Sequence, residues 1–330
     1  MRDPLDLDGL QRLLWAFASH RVVTTAARCG VLARLARDAM QPADVARELQ
    51  LDPDATAKVV RALHALGILV STAGGYRVAP SLAGLLGADG DGLLPFLEHS
   101  HRMYSAWGEH LEGWLRGGAW PRGTKTADDV RVFGEAMRAM GTEVARRLAA
   151  ALDLDDVQRM LDVGGGFGQF ARILCEESPE LHAVVVDRPE VVDLAREELR
   201  SDPLAERVEF VGGDYHATEL GSGFDLVLLA NVLHQESSRD AARLIRRAAR
   251  ALAPGGQVAV LDFRIDDHRH EHVLGTLFAI NMRDFGDTWT EPDIRGWMQT
   301  AGLDHVERTD IGPDRWLITG RASRLQSPVS

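Results

Sequence analysis

The sequence predicts an α/β chain whose first half is nearly all helix, and three observations carry that prediction. From about residue 158, short continuous apolar runs alternate with helical stretches. Before about residue 150, apolar residues recur at helical spacing, interrupted by one hairpin signal. Where the second pattern begins, MLDVGGGFGQF (160–170) runs a buried-strand pattern into three consecutive glycines. Continuous apolar strands alternating with helices specify a parallel sheet covered on both faces. That is a Rossmann-like doubly wound arrangement, in which ligands collect beyond the carboxyl ends of the strands.

The helical half comes first. LQRLLWAFASHRVVTTAARCGVLARLA sets Leu10, Leu13, Leu14 and Phe17 on one helical stripe. In QPADVARELQLDPDATAKVVRALHALGIL, Pro42 and Pro53 fall in first helical turns, where a missing N–H is tolerated, and Gly67 is the stop. ILVSTAGGYRVAP then places two short β-prone runs around Ala73-Gly74-Gly75, a hairpin signal. Helix, helix, hairpin is the order of a winged helix-turn-helix, assigned to residues 1–90. Folds of that kind commonly bind DNA, but residues 1–90 hold 9 Arg and 1 Lys against 8 Asp and 1 Glu, a net of +1. The candidate recognition helix, 54–66, offers Lys58, Arg61 and His64 as its cations. A basic footprint is missing, so dimerisation is the expected role and nucleic acid is not an expected partner. Residues 91–157 read as a helical connector, with Phe96, Met103, Trp107, Leu111 and Trp114 near one face, most simply as core packing.

In residues 158–330 the expected strands are RMLDVG, HAVVVD, RVEFVGGD, FDLVLLAN and QVAVLDF. FARILCEES, EVVDLAREELR and RDAARLIRRAARAL are the expected helices. The glycine run discriminates among ligands. A P-loop needs Lys-Ser or Lys-Thr after its glycines, and Gln169-Phe170 stand there. The dinucleotide fingerprint would put its third glycine at Gln169, which disfavours a dehydrogenase. The pattern present is D-x-G-x-G-x-G: Asp162, Gly164, Gly166 and Gly168. Bare glycines there suit an adenosine with an amino-acid tail lying flat on the strand-to-helix turn, in space that any Cβ would fill. Asp187 closes the second strand, 19 residues after Gly168, as expected of a carboxylate that binds both ribose hydroxyls. The third strand ends VGGDY, where Asp214 can accept from an adenine amine and Tyr215 can lie against the ring.

LDVGGGFGQF, VVVDRPEVV, RVEFVGGDY and LANVLHQESSRDAARLIRRAARALAPGGQVAVLDF, behind a winged-helix half, resemble the class I S-adenosylmethionine-dependent O-methyltransferases. The nearest type is the caffeic acid / acetylserotonin O-methyltransferase-like family, which includes many bacterial natural-product enzymes. Thirty-five arginines against two lysines also fit a GC-rich bacterial genome. The resemblance covers nearly the whole chain, both halves in order. It implies S-adenosylmethionine as cofactor and S-adenosylhomocysteine as product, without a metal. Asp162, Gly164, Gly166, Asp187, Arg188, Asp214, Tyr215 and Asn231 would contact that cofactor, and the N-terminal half would form an interlocked homodimer. His234, just past the fourth strand, and Asp262, ending the fifth, fall on the family's catalytic histidine and first supporting acid. A carboxylate beside a histidine fixes the tautomer and stabilises the imidazolium, as a general base requires.

The implied reaction is methyl transfer to a hydroxyl of an aromatic or polyketide-like molecule in bacterial secondary metabolism. The acceptor would lie between the connector and the segment after the fifth strand. Met103, Trp107, Phe133 and Met137 are the candidates from the first, Phe278, Asn281, Met282 and Phe285 from the second. The chain departs from the family at His234-Gln235-Glu236, where His-Asp-Trp is usual. It also has Ala230 in place of an adenine-side lysine, and Asp287-Thr288 where the second supporting acid is expected. Two alternatives stand beside the main reading: non-methylating chemistry, hydroxylation or decarboxylation, in the same cofactor fold, and a cofactor-sensing winged-helix regulator.

Composition bounds the rest. A formal net charge of −12 disfavours a protein held on nucleic acid phosphates or anionic lipid. Two cysteines, Cys29 and Cys175, form no disulfide framework and suit a reducing cytoplasm. MRDPLDLDGL carries acids where a signal peptide carries a basic run, and no stretch approaches a membrane span in length, so a cytoplasmic protein without a membrane partner is expected. DDHRHEH (266–272) alternates histidines in a charged loop and reads as solvated, with no metal expected.

Overall fold

The computed structural model describes residues 5–87, 92–121, 126–200, 202–268, 272–282 and 285–323. The chain forms two compact units, Arg2–Met140 and Gly141–Ser330. The first holds α1 (Leu7–Arg28), α2 (Val31–Arg37), α3 (Pro42–Glu48), α4 (Pro53–Ala65), the strands β1 (Leu69–Thr72) and β2 (Gly75–Val78), α5 (Pro80–Leu86) and α6 (Leu94–Leu115). The division falls inside α7 (Ala127–Ala151). Local chemistry sets the starts. Asp6 and Asp52 accept from Gly9 N and Ala55 N, each at 2.7 Å, and Pro42 and Pro53 open their helices. The hairpin pairs Leu69 with Val78 and Thr72 with Gly75, leaving Ala73-Gly74 as its turn.

Leu32, Leu35, Val45, Val60, Leu63, Leu69 and Val78 make the core of this unit. His64 on α4 is exposed but tied to the hairpin: its Nδ1–H donates to Leu69 O at 2.9 Å and its ring meets Tyr76 edge-on. The apolar stripe of α1 does not enter the core. Leu10, Leu13, Leu14 and Phe17 are 44%, 60%, 63% and 50% exposed. The core packing expected of α6 is also corrected: no residue of this helix is fully buried, and Phe96, Met103, Trp107, Leu111 and Trp114 are half-buried.

The second unit is built on one seven-stranded sheet: β3 (Arg159–Val163), β4 (His182–Asp187), β5 (Val208–Gly212), β6 (Phe224–Ala230), β7 (Leu252–Phe263), β8 (Leu303–Asp310) and β9 (Arg315–Ala322). Its order is β5-β4-β3-β6-β7-β9-β8. The first five in that order run parallel, and β9 runs antiparallel to both β7 and β8. From β3 the chain proceeds outward to β4 and β5, then returns to the other side of β3 with β6. The switch point therefore lies between β3 and β6, at the turn that carries the glycines. Among the described residues, α8 (Gln169–Glu177), α9 (Pro189–Leu199), α10 (Ser238–Ala251), α11 (Val273–Ala279) and α12 (Glu291–Thr300) accompany the sheet. Leu161, Val227, Leu229, Val258, Val260 and Ile318 of the sheet bury against Leu244 and Ile245 of α10 and Ile294 and Met298 of α12.

The antiparallel pair β8 and β9 has no counterpart among the five expected strands. β8, LDHVERTD, is an edge strand in which Leu303 alone is fully buried, so it has no run of apolar residues to announce it. Among the described residues, no helix is long and apolar enough to cross a membrane.

Leu228, at the centre of β6 and fully buried, tests the core. Leu228→Ala should lower stability by about 2–5 kcal/mol in urea unfolding, because the packed strands on both sides cannot collapse into the space left.

Candidate active site

The site is assembled at the carboxyl ends of the parallel strands. After β3, Gly164 N–H donates to Val186 O at 2.7 Å, which keeps the turn against β4. Gly164 and Gly166 have φ of +70° and +59°, in the left-handed region that penalises a Cβ. A Cβ on Gly164 would stand 3.0 Å from Val232 Cγ2 and 3.7 Å from Tyr215 Cε1. On Gly166 it would meet no described atom within 4 Å, so the turn opens to free space there.

Around this turn the acids differ in their partners. Asp187 accepts from Gly166 N at 2.8 Å and Arg188 N at 2.7 Å, one bond to each oxygen. Burial raises its pKa, against the lowering by these N–H groups. Asp162 is fully buried, and neither carboxylate oxygen has a hydrogen-bond partner among the described residues. Burial first, then the charge of Asp187, pushes it up to about 7, against a lowering by the Ala171 N–H. Asn231, just past β6, has φ of +54°, unusual for a residue with a Cβ, and its buried Oδ1 likewise lacks a described partner. Orphaned acceptors at the ends of adjacent strands β3 and β6, beside a turn bare of side chains, fit an adenosyl amino-acid cofactor rich in N–H and O–H donors. Asp214 is exposed and accepts from His216 N at 2.8 Å, and Tyr215 OH donates to Glu236 Oε1 at 2.6 Å. The side chain of Arg188 is half exposed and pairs with Glu190 at 3.3 Å.

His234 sits in the 3-10 turn Leu233–Gln235 that follows β6 and is 5% exposed. Its Nδ1 and Asp262 Oδ1 are 2.7 Å apart, and its backbone N–H donates to Asp262 Oδ2 at 3.2 Å. A carboxylate partner fixes the proton on Nδ1 and leaves Nε2 as an acceptor. Burial opposes the charge on Asp262. The His234 charge and hydrogen bond, the Phe263 N–H and the Arg315 charge outweigh burial and hold the carboxyl below its usual range. Rings enclose the base: Phe278 lies edge-on to it at 4.9 Å between centroids and Phe263 at 5.6 Å. The two phenylalanines stack at 3.8 Å, and the Arg315 guanidinium caps Phe263.

Of the acceptor candidates in this unit, Phe278 on α11 therefore touches His234. Asn281 and Met282 are half-buried in the 3-10 turn Ile280–Met282, and Phe285 is exposed. Asp287 accepts from the backbone of Thr288 at 2.8 Å, and Trp289 Nε1–H ties this segment to Leu233 O at 2.8 Å. Met103 and Trp107 on α6, and Phe133 and Met137 on α7, belong to the other unit. There Phe133 meets His99 edge-on at 5.3 Å, and Met137 is partly exposed. Of the charged loop after β7, residues 269–271 lie outside the described residues. Among the described residues there is no group of three or more metal-ligating side chains.

Sequence reasoning missed Phe263 and Arg315 at the dyad and His216 and Glu236 beside Tyr215. Glu236 had a signal, its departure from the family pattern. Arg315 had none, because it lies on the unanticipated β9.

Asp162 sets a test. With a folded pKa of about 7 against about 3.9 for an unfolded aspartate, the cofactor-free folded chain holds an extra proton between those values. Stability contributed there is present at low pH and lost as pH rises from about 4 past about 7. Asp162→Asn should flatten that part of the Tm–pH curve in differential scanning fluorimetry. An unchanged slope would contradict the burial argument.

An O-methyltransferase domain model matches residues 108–304. The chain is 29% identical over 319 residues to the 3-hydroxy-5-methyl-1-naphthoate 3-O-methyltransferase of Streptomyces sahachiroi, covering 92% of this chain and 90% of that protein. It is 28% identical over 327 residues to the tetracenomycin polyketide synthesis 8-O-methyl transferase TcmO of Streptomyces glaucescens, covering 95% and 96%. Human N-acetylserotonin methyltransferase, solved in complex with S-adenosylmethionine, shares the fold with a TM-score of 0.87 at 24% identity, over 98% of this chain and 100% of that one. Since the domain model spans more than half of its length, this chain belongs to the O-methyltransferase family.

Proposed function

We propose that the protein is a cytoplasmic S-adenosylmethionine-dependent O-methyltransferase, methylating a hydroxyl of an aromatic or polyketide-like small molecule in bacterial secondary metabolism. The observation that carries this reading is the 2.7 Å contact between His234 Nδ1 and Asp262, which leaves Nε2 to accept a proton at the carboxyl edge of the sheet. The relatives' names support the acceptor class: they include a naphthoate, a tetracenomycin, a mitomycin and a phenazine O-methyltransferase.

When bound, the cofactor supplies an electrophilic methyl group on a sulfonium. The residues assigned to hold it are Asp162, Gly164, Gly166, Asp187, Arg188, Asp214, Tyr215 and Asn231. The orphaned oxygens of Asp162 suit an ammonium donor, and Asp187 retains lone pairs for the ribose hydroxyls. His234 Nε2 takes the proton of the acceptor hydroxyl as that oxygen becomes the nucleophile, and Asp262 stabilises the resulting imidazolium. Phe278 and Phe263 keep water from the base and present an apolar wall to a flat acceptor, with Asn281 and Met282 assigned to the same lining.

His234→Ala should leave cofactor affinity nearly intact and lower turnover by about two orders of magnitude or more. Turnover equal to the unmodified enzyme would refute the base assignment. Product masses decide the chemistry, since methyl transfer adds one CH₂ unit while hydroxylation or decarboxylation does not.

The homodimer belongs to the same reading. Leu7, Leu10, Leu13, Leu14, Trp15 and Phe17 of α1 are all exposed, a larger apolar group than an isolated surface sustains in water. A second copy covering α1 is the assigned partner. Leu13→Glu with Leu14→Glu should give a monomer by size-exclusion chromatography with light scattering, and a dimer of unchanged mass would sink the assignment.

A further inference from the structure

Glu236 stands where the related enzymes resembled by this chain carry tryptophan, and its carboxylate is spent on two neighbours. Oε1 accepts from Tyr215 OH at 2.6 Å, and Oε2 lies 2.9 Å from His216 Nε2. Both partners come from the loop after β5, whereas Glu236 follows β6. In the sheet, β5 and β6 are separated by β4 and β3, so their ends are about 14 Å apart at roughly 4.8 Å per strand. The contact closes that gap beside the turn after β3. There Tyr215 Cε1 lies 3.7 Å from where a Cβ on Gly164 would stand. On the other side of the loop, Arg247 Nε–H donates to Tyr215 O at 3.1 Å and its Nη2 donates to Thr218 O. Tyr215 is thus held at its backbone from α10 and at its phenol tip by Glu236. The side chain of Glu236 is 13% exposed, so the hydroxyl-to-carboxylate bond is shielded from water and charge-assisted.

We propose that Glu236 is a positioning residue for the cofactor: it acts through Tyr215 and His216, holding the β5 loop across the glycine turn so that the Tyr215 ring forms a fixed wall of the cofactor site. This rests on the assignment of Tyr215 to the cofactor made above. Glu236 touches neither the acceptor nor the reacting atoms, so its loss falls on cofactor affinity and not on the chemical step.

The test is titration calorimetry with S-adenosylhomocysteine on the full chain, alongside steady-state kinetics. Glu236→Ala should raise Kd about tenfold or more, the worth of one shielded bond to a charged acceptor, while kcat at saturating cofactor stays within about threefold. Glu236→Gln, whose amide can accept from the phenol and donate to a neutral imidazole, should restore most of the affinity. Tyr215→Phe keeps the ring and loses the tether. It should share the defect of Glu236→Ala, and the double variant should bind no worse than either single variant. A Kd unchanged in Glu236→Ala overturns the proposal, and so do losses that add in the double variant or a kcat that falls in step with affinity. Tyr215→Ala separates the two readings. If it binds as tightly as the unmodified chain, Tyr215 is not a cofactor wall. If it binds weakly while Glu236→Ala binds normally, the wall stands and the clamp falls.

Discussion

Five strands running the same way deliver their carboxyl ends to one edge of the sheet, and the rest of the site depends on that shared direction. The turn after β3, Asp187 closing β4, the loop after β5, His234 past β6 and Asp262 in β7 are distant in sequence. The parallel register makes them neighbours because strands about 4.8 Å apart end at the same level. β3 is the strand where the winding changes direction, so the helices that would cover its carboxyl end diverge and leave a crevice. The glycines are a local answer to this crevice, since they let the backbone itself form the floor.

Two buried carboxylates on the same edge show how partners decide charge. Asp262 has an imidazole, two backbone N–H groups and a nearby guanidinium, and they hold its carboxyl below the usual range despite burial. Asp162 has only the Ala171 N–H acting against its burial and the nearby charge of Asp187, and its pKa climbs to about 7. The first is committed to the His234 imidazole. The second is left with unspent acceptors, which is what a binding position requires.

Much of this was readable in the chain. Continuous Val- and Leu-rich runs announced the five parallel strands, because strands buried on both faces have no polar positions to blur them. The sequence alone places Asp162 near the end of β3, Asp187 at the end of β4 and His234 just past β6. The contacts of His234 with Phe263 and Phe278 were not legible, since nothing in sequence spacing reports which rings meet. Nor was the last pair of strands: β8 is charged along most of its length, and Arg315 was hidden with its neighbour β9. The stripe on α1 was visible as a helical repeat, but its periodicity does not say whether the apolar face meets this chain or another.

The charges along β8 have an effect on the molecule's company. Asp304, Glu307, Arg308 and Asp310 line the outermost strand, with Arg308 bonded to Glu291 and paired with Asp310. A foreign strand approaching this rim would have to strip water from every one of those ions to gain a row of amide bonds. The rim therefore opposes extension of the ladder by another strand.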